Sequence, residues 1–168
     1  MPKPLNFRHR NLPLLLLKAR EALMQGRRPT LREHGLSDQQ WRVLRVLAEP
    51  AHADGLDTGR LAREAHLLGP SLTGMLARME QSGLVQRQRS ELDARRSVVR
   101  ATDAGLALAA SLAVAIESQY GDLDQRLGHA KLEQLYQLLD EVIALQPTDQ
   151  DEEPNVTDDA TTLTEAAA

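Results

Sequence analysis

The chain has 168 residues, 42% of them hydrophobic and 2% aromatic, which suits one mainly helical globular domain with a core of Leu, Ala and Val. It contains no cysteine, which excludes disulfides, thiolate metal sites and cysteine-based redox sensing, and no apolar run as long as a membrane span, so we expect a cytoplasmic protein with no membrane role. The formal net charge of −4 hides an uneven distribution, because residues 148–168 carry seven acids and no base whereas residues 60–100 carry eight Arg and four acids.

The first predicted element is a Leu-rich helix in the segment of about residues 12–34. The pattern is strongest over Leu12–Met24, and Gly26 and Pro29 then weaken it. Because its apolar positions lie nearly all round the helix, we expect it to be buried on more than one side, as helices between subunits often are.

A second helix is predicted to begin after Ser37, which is a good N-cap and has Gln40 at the third helical position, as in a capping box. Its core stripe includes Trp41, and Pro50 ends it. The loop that follows contains Leu56 in a short extended stretch.

A short helix, a tight turn and a longer helix come next, which is the order of a helix-turn-helix. Asp57 or Thr58 caps the short helix, and His66–Gly69 forms the turn. Pro70 suits the first position of the longer helix, and Gly83 is a natural stop after it.

Two short extended segments, Leu84–Arg89 and Ser97–Arg100, follow the helix-turn-helix. They are joined by the polar, charged residues 90–96, which predicts a β-hairpin with a basic loop. A basic hairpin directly after a helix-turn-helix is typical of the wing of a winged helix.

The last helices are a long Ala/Leu helix capped by Thr102 and, after the interruption at Gly128, an amphipathic helix over Lys131–Leu145. We therefore predict a mainly α-helical, winged helix-turn-helix domain over residues 1–147 and a disordered acidic tail over residues 148–168. Within the domain, the DNA-binding lobe covers about residues 36–101, and the N- and C-terminal dimerisation helices cover about residues 12–34 and 103–146.

In the second helix of the helix-turn-helix, apolar residues repeat at helical spacing, at Leu72, Met75, Leu76 and Met79, which predicts its buried face. The helix is long enough to enter a DNA major groove. Small and hydroxylated residues on its outward face allow close approach to base edges and phosphates. The predicted DNA-binding residues of this helix are Pro70, Ser71, Thr73, Gly74 and Arg78. The alternative is that they are simply small residues exposed to solvent.

The hairpin loop contains the tetrapeptide Asp93-Ala94-Arg95-Arg96. An arginine that enters a minor groove needs its guanidinium aimed, and Asp93 can do this for Arg95 through a charge-assisted hydrogen bond. We therefore add Asp93, Arg95 and Arg96 to the predicted DNA-binding residues, although a solvated charged turn would have the same composition.

Together these segments resemble the multiple antibiotic resistance regulator (MarR) family of winged helix-turn-helix proteins. The resemblance covers about residues 15–147. It rests on Leu36–Leu44, Pro70–Glu80 with Gly83–Val85, Asp93–Arg96 and Thr102–Gly105. Within the family the chain is similar to the branch typified by the homoprotocatechuate degradative operon repressor, through Lys18–Ala22, Gln40–Arg42 and Pro70–Gly74. The acidic tail and the extended start depart from that branch.

The resemblance implies a homodimer formed by the first and last helices and a double-stranded DNA operator near a catabolic gene cluster. It also implies release by a small aromatic carboxylate, bound in a cleft between the dimer helices and the DNA-binding lobe. Such a ligand needs a cation and a flat apolar wall. The candidate ligand-binding residues are Arg20, Trp41, Arg45, His9 and Arg10, with His66 coupling the ligand to DNA. Alternatively, Trp41 is a core residue and Arg45 is solvated or salt-bridged.

An enzyme is not expected, because the five His are scattered and the sequence has neither a Gly-rich phosphate loop nor a nucleophile elbow. We also expect no cofactor and no metal site. The alternatives are a metal- or stress-responsive regulator without an aromatic effector, and a non-enzymatic helical interaction protein, which would leave the basic hairpin unexplained.

Overall fold

The computed structural model describes residues 7–89 and 97–145. In chain order, the described elements are α1 (Leu12–Glu33), α2 (Asp38–Leu47), a short 3-10 helix (Pro50–His52), β1 (Leu56–Asp57), α3 (Thr58–Glu64), α4 (Gly69–Gln81), β2 (Val85–Arg89), β3 (Ser97–Ala101), α5 (Asp103–Leu127) and α6 (His129–Ala144). This order confirms the predicted mainly helical fold with a small sheet. The predicted tail, residues 148–168, lies outside the described residues.

The fold divides into one compact unit that extends to Asp122 and a second that begins at Leu123, so α5 belongs to both. The core of the first unit forms where α2, α3 and α4 meet the sheet, and α1 and α5 contribute to it. Its largest fully buried side chains include Leu31, Leu44, Leu61, Leu72, Leu76, Met79 and Leu112. The helical spacing of apolar residues in α2 and α4 therefore identified the core correctly.

Helix α1 spans Leu12–Glu33 and continues through Gly26 and Pro29, where the Leu-rich pattern weakens. Buried side chains on both sides of the interruption, Met24 and Leu31, pack in the core of the first unit. Packing of these two residues explains why the weak local helix propensity at Gly26 and Pro29 does not end the helix.

The helix caps predicted for α2, α3 and α5 are present in the structure. Ser37 and Gln40 form a complete capping box at the start of α2, and Asp57 accepts a hydrogen bond from Arg60 N at 2.9 Å at the start of α3. Thr102 caps α5 by accepting from Gly105 N at 3.0 Å, and its hydroxyl donates to the carbonyl of Gly83 at 2.6 Å. This second bond joins the start of α5 to the end of α4.

The sheet has three strands in the order β1-β3-β2, all antiparallel. Strands β2 and β3 form the predicted hairpin, with Arg87 opposite Val99. The short stretch at Leu56 is a third strand, because Leu56 pairs with Val99 from the other side. Strand β1 thus connects the helix-turn-helix, whose first helix begins at Thr58, to the base of the wing.

Candidate DNA interface and effector cavity

Helices α3 and α4 form the helix-turn-helix, and the turn between them has an unusual backbone. His66 has a φ of +48°, the only positive value at a non-glycine residue within the described ranges. Helix α4 begins at Gly69, one residue earlier than predicted, so that Pro70 occupies the second helical position. Its N-cap is Leu68, which makes no side-chain capping hydrogen bond.

One face of α4 is buried and the other is exposed. Leu72, Met75, Leu76 and Met79 pack in the core. The five residues predicted to face DNA are all exposed, namely Pro70, Ser71, Thr73, Gly74 and Arg78. A Cβ at Gly74 would lie 3.9 Å from Arg78 Nη1, an ordinary contact distance, so this glycine is next to the Arg78 guanidinium on the exposed face. The exposed face therefore combines small residues with one cation.

A three-bond contact holds the wing against α4. The carboxylate of Glu80 accepts from Arg87 N at 3.1 Å, from Arg87 Nε at 2.8 Å and from Arg87 Nη2 at 2.6 Å. The side-chain hydrogen bond from Arg87 holds the pKa of the Glu80 carboxyl below its ordinary value. Because Arg87 lies on β2, this contact sets the position of the hairpin base. The predicted wing residues Asp93, Arg95 and Arg96 lie outside the described residues.

A cavity of about 350 Å³ lies between α2 and the first half of α5. Its lining residues are Trp41, Arg45, Ala48, Glu49, Pro50, Leu106, Ala109, Ala110, Ala113, Ile116 and Glu117. The walls are mainly apolar, with one guanidinium and two carboxylates among the lining groups. This volume falls within the ordinary range of small-molecule sites, about 300–1,000 Å³.

Comparison with known proteins shows which family the chain belongs to. A model described as the MarR family matches residues 34–96, which contain the helix-turn-helix. The homoprotocatechuate degradative operon repressor of Escherichia coli is 41% identical over 146 residues, which cover 87% of this chain and 97% of the repressor. The chain belongs to the MarR family. It is therefore a transcriptional regulator.

Two further proteins are similar over most of their length. The HTH-type transcriptional regulator FarR of Neisseria gonorrhoeae is 37% identical over 143 residues, which cover 85% of this chain and 96% of FarR. The crystal structure of NadR in complex with 4-hydroxyphenylacetate superposes with a TM-score of 0.75 at 37% identity, covering 86% of this chain and all of that chain.

The MarR-type fold brings together two of the predicted ligand-binding residues and separates the others. Trp41 and Arg45 both line the cavity. Trp41 is only 8% exposed and also belongs to the core, as the alternative interpretation expected, and its contact with a ligand stays a prediction. Arg20 forms ion pairs with Asp38 and, at 3.3 Å, with Glu21, and it is not among the lining residues.

The other predicted residues lie elsewhere. His9 and Arg10 are exposed and precede α1. His66 is exposed in the turn before α4, where its carbonyl accepts a hydrogen bond from Arg42 Nη1 at 3.0 Å.

Several residues of the cavity were not predicted. The far wall comes from α5, where Leu106, Ala109, Ala110 and Ala113 lie. A sequence signal for this wall was available: four small or medium residues at helical spacing on α5. Alanines leave space that a larger side chain would fill, so such a spacing can indicate a cavity. The carboxylates of Glu49 and Glu117 gave no such signal, since exposed acids are common on any helix.

Neither a membrane span nor a metal site is apparent in the described ranges. No helix within residues 7–89 and 97–145 is long and apolar enough to cross a membrane. The same residues contain no cluster of three or more His, Asp or Glu side chains able to hold a metal ion.

Proposed function

We propose that this MarR-family regulator represses an operon for the breakdown of an aromatic acid. It binds a pseudo-palindromic operator as a homodimer and leaves it when a small aromatic carboxylate binds. The observation that carries the proposal is the 41% identity to an operon repressor over 97% of that repressor, whose name refers to a degradative operon for an aromatic acid. Regulation of this kind takes place on DNA in the cytoplasm and needs no enzymatic activity.

The exposed face of α4 is the proposed surface for the major groove. Ser71 and Thr73 would reach base edges through short hydroxyls, and Pro70 and Gly74 would let the helix approach closely. Arg78 would contact a phosphate. The wing would place Arg95, oriented by Asp93, in the minor groove and Arg96 along the same backbone path.

Homodimer formation is supported by apolar surface that the single chain leaves exposed. On α1 this surface comprises Leu12, Leu14, Leu16, Leu17 and Leu23, and on α6 it comprises Leu135, Leu138, Val142 and Ile143. Apolar stripes of this size on both terminal helices are typical of an interface between subunits. The two-fold symmetry of a dimer would give an operator with two inverted half-sites about one helical turn apart.

The cavity between α2 and α5 is the proposed effector site. The Trp41 ring would form the flat wall for an aromatic ring, and the Arg45 guanidinium would bind the carboxylate. Glu49 and Glu117 would accept hydrogen bonds from ring hydroxyl groups, which favours hydroxylated acids over plain ones. The ligand of NadR, 4-hydroxyphenylacetate, has this chemistry. Arg20, His9 and Arg10 are proposed as further contacts, and His66 as the link to α4.

Duplex binding across a salt series tests the first part of the proposal. A duplex is first selected by the full-length protein from a random library, and its affinity is then compared with that of a scrambled duplex. We expect an inverted repeat and an affinity that falls steeply with salt. If no sequence is selected, and the affinity for DNA is weak and does not change with salt concentration, the proposal is contradicted. That result would favour a helical interaction protein.

The effector part can be tested with the intrinsic fluorescence of the protein. Because Trp41 is the only tryptophan in the sequence, its emission reports on the cavity alone. We expect 4-hydroxyphenylacetate to change the emission and to release the selected duplex at the same concentrations. The neutral 4-hydroxyphenylacetamide is the matched control, since it lacks the charge that Arg45 would bind. Equal effects of the acid and the amide would show that Arg45 does not bind the carboxylate of the effector.

A further inference from the structure

One arginine of α2 is attached to the turn that precedes α4. Arg42 Nη1 donates to the carbonyl of Ala65 at 2.9 Å and to the carbonyl of His66 at 3.0 Å. These are successive carbonyls at the point where α3 ends, so a single guanidinium nitrogen of α2 bonds both the end of α3 and the turn. Arg42 does not line the cavity, and its side chain is about one-third exposed.

Two backbone hydrogen bonds, from His66 N to the carbonyl of Arg63 at 3.0 Å and from Leu67 N to the carbonyl of Ala62 at 2.8 Å, close the turn, and the bonds from Arg42 add to them. The positive φ of His66 is unfavourable for a residue with a Cβ and persists only when its surroundings hold it. Leu68, the N-cap of α4, offers no side-chain hydrogen bond to the first turn of that helix. Core packing of Leu72 and Met75 holds α4 against the domain, and the turn joins the start of α4 to the end of α3.

Arg42 is in turn linked to α1. Its Nε is buried and has no hydrogen-bond partner among the described residues, but it faces Asp38 Oδ2 at 3.7 Å. The same Asp38 oxygen accepts a hydrogen bond from Arg20 on α1. A shift of Asp38 away from Arg20 would let its carboxylate accept a hydrogen bond from Arg42 Nε. Two arrangements are therefore open to Asp38, one bonded to Arg20 and one bonded to Arg42.

We infer that Arg42 is a positioning residue for operator recognition: it holds the Ala65–His66 turn so that α4 presents its exposed face at the correct angle, and Asp38 links its position to that of α1. The inference rests on the proposed function, in which α4 reads the major groove. Arg42 itself touches no DNA. Its loss therefore affects discrimination between sequences and leaves the number of phosphate contacts unchanged.

The test compares Arg42→Gln with the unaltered full-length protein on the duplex that the latter selects from a random library and on a scrambled duplex. We expect the ratio of the two affinities to fall about tenfold, while the slope of log affinity against log salt stays the same. Thermal unfolding is measured in parallel, because a general loss of stability would lower binding to both duplexes equally. Arg32→Gln is the matched control, since Arg32 Nε donates to the carbonyl of Arg28 within α1.

Arg42→Lys and Asp38→Asn complete the design. A lysine can reach one carbonyl, so Arg42→Lys should recover part of the lost selectivity, and it replaces Arg42→Gln if that variant does not fold. Adding Asp38→Asn to Arg42→Gln should cause little further loss, because both changes act through the same turn. An unchanged affinity ratio in the Arg42 variants, or an equal loss in Arg32→Gln, would overturn the inference. If the unaltered protein itself shows no selective binding, the proposed function fails instead.

Discussion

Glu80 at the end of α4 receives three hydrogen bonds from Arg87 on β2, two from the guanidinium and one from the backbone N–H. The contact joins the helix proposed for the major groove to the strand that leads into the wing. Glu80 Oε2 accepts from both guanidinium nitrogens and Oε1 accepts from the backbone N–H, so the contact restricts the side chain and the backbone of Arg87 together. The helix and the base of the hairpin are thereby held in one relative orientation before any DNA is bound.

The contact should make stability depend on pH in the acid range. The hydrogen bonds from Arg87 lower the pKa of Glu80 below its ordinary value of 4.5 in the folded protein. A carboxyl group with a lowered folded pKa contributes its full stabilisation above the unfolded pKa and loses it as the pH falls through the folded value. We therefore expect the difference in free energy of unfolding between the unaltered protein and Glu80→Gln to be constant near pH 7 and to shrink below about pH 4.5.

Urea denaturation at several pH values measures this difference. The control is the same substitution made in Arg87→Gln, where the guanidinium is absent and only the backbone N–H of residue 87 remains, so the pH dependence should be much smaller. A difference that stays constant down to pH 3 would contradict the assignment of the lowered pKa to Glu80.

Gly105 should not tolerate any side chain. A Cβ at this position would lie 2.1 Å from the carbonyl oxygen of Leu84, because the start of α5 lies directly against the chain between α4 and β2. Since backbone has to move to make room, we expect Gly105→Ala to lower the free energy of unfolding by about 2 kcal/mol.

Gly121 is the matched control on the same helix, because a Cβ there has no neighbour within 4 Å. Gly121→Ala should raise the free energy of unfolding by up to about 1 kcal/mol through its better helix propensity. Chemical denaturation of both variants measures the two effects, and a loss of stability in Gly121→Ala as large as in Gly105→Ala would contradict the steric explanation.

Local patterns predicted much of the fold. The capping box at Ser37, the caps at Asp57 and Thr102 and the apolar spacing in α2 and α4 all depend on residues within one or two turns of each other, which is why the sequence reveals them. The continuation of α1 through Pro29 depends on burial of Leu31 in the core, a contact distant in sequence. Local propensity cannot report such a contact.

The candidate site was predictable only in part, for the same reason. The exposed face of α4 follows from helical spacing alone. The cavity needs α2 and α5, which are separated by more than fifty residues, to lie against each other. Trp41 and Arg45, which line the cavity, were chosen from the sequence because their chemistry suits an aromatic acid. The alanines of α5 have no functional group that would single them out in a sequence. The contacts of Arg42 with the Ala65–His66 turn likewise join distant parts of the chain.

Charges placed on the apolar face of α6 should dissociate the proposed dimer. Leu138 and Val142 are exposed one helical turn apart, and burial of each such side chain is worth about 1.5–3 kcal/mol. Leu138→Glu with Val142→Glu should therefore raise the dimer dissociation constant more than about a hundredfold. Sedimentation equilibrium measures this constant.

The control adds the same two charges on a different face of α6, as Ala130→Glu with Gln137→Glu. Both residues are exposed, so the dimer should persist in this variant. If the two double variants behave alike, α6 does not form the interface in the way proposed.

Substitutions in the wing and in α4 should affect binding in different ways. Arg95→Ala should cost about 1–3 kcal/mol and reduce the salt dependence by about one phosphate per subunit, since an arginine in the minor groove senses its width and charge. Thr73→Val removes a hydroxyl from the exposed face of α4 and should change which bases are preferred at the inner positions of each half-site. Affinities for the selected and scrambled duplexes across a salt series measure both effects. Equal losses on both duplexes for Thr73→Val would contradict the proposed groove for α4.

The effector carboxylate has two candidate partners on different parts of the first unit, and substitution distinguishes them. Arg45 lines the cavity beside Trp41, whereas Arg20 is paired with Asp38, which a ligand would have to displace. Because a hydrogen bond to a charged group contributes about 1.5–3 kcal/mol, Arg45→Gln should weaken 4-hydroxyphenylacetate binding about 10- to 100-fold. Arg20→Gln should cause a smaller loss. Titrations followed by Trp41 fluorescence measure both variants, each checked first for unchanged affinity to the selected duplex. A larger loss in Arg20→Gln than in Arg45→Gln would instead place the carboxylate at α1.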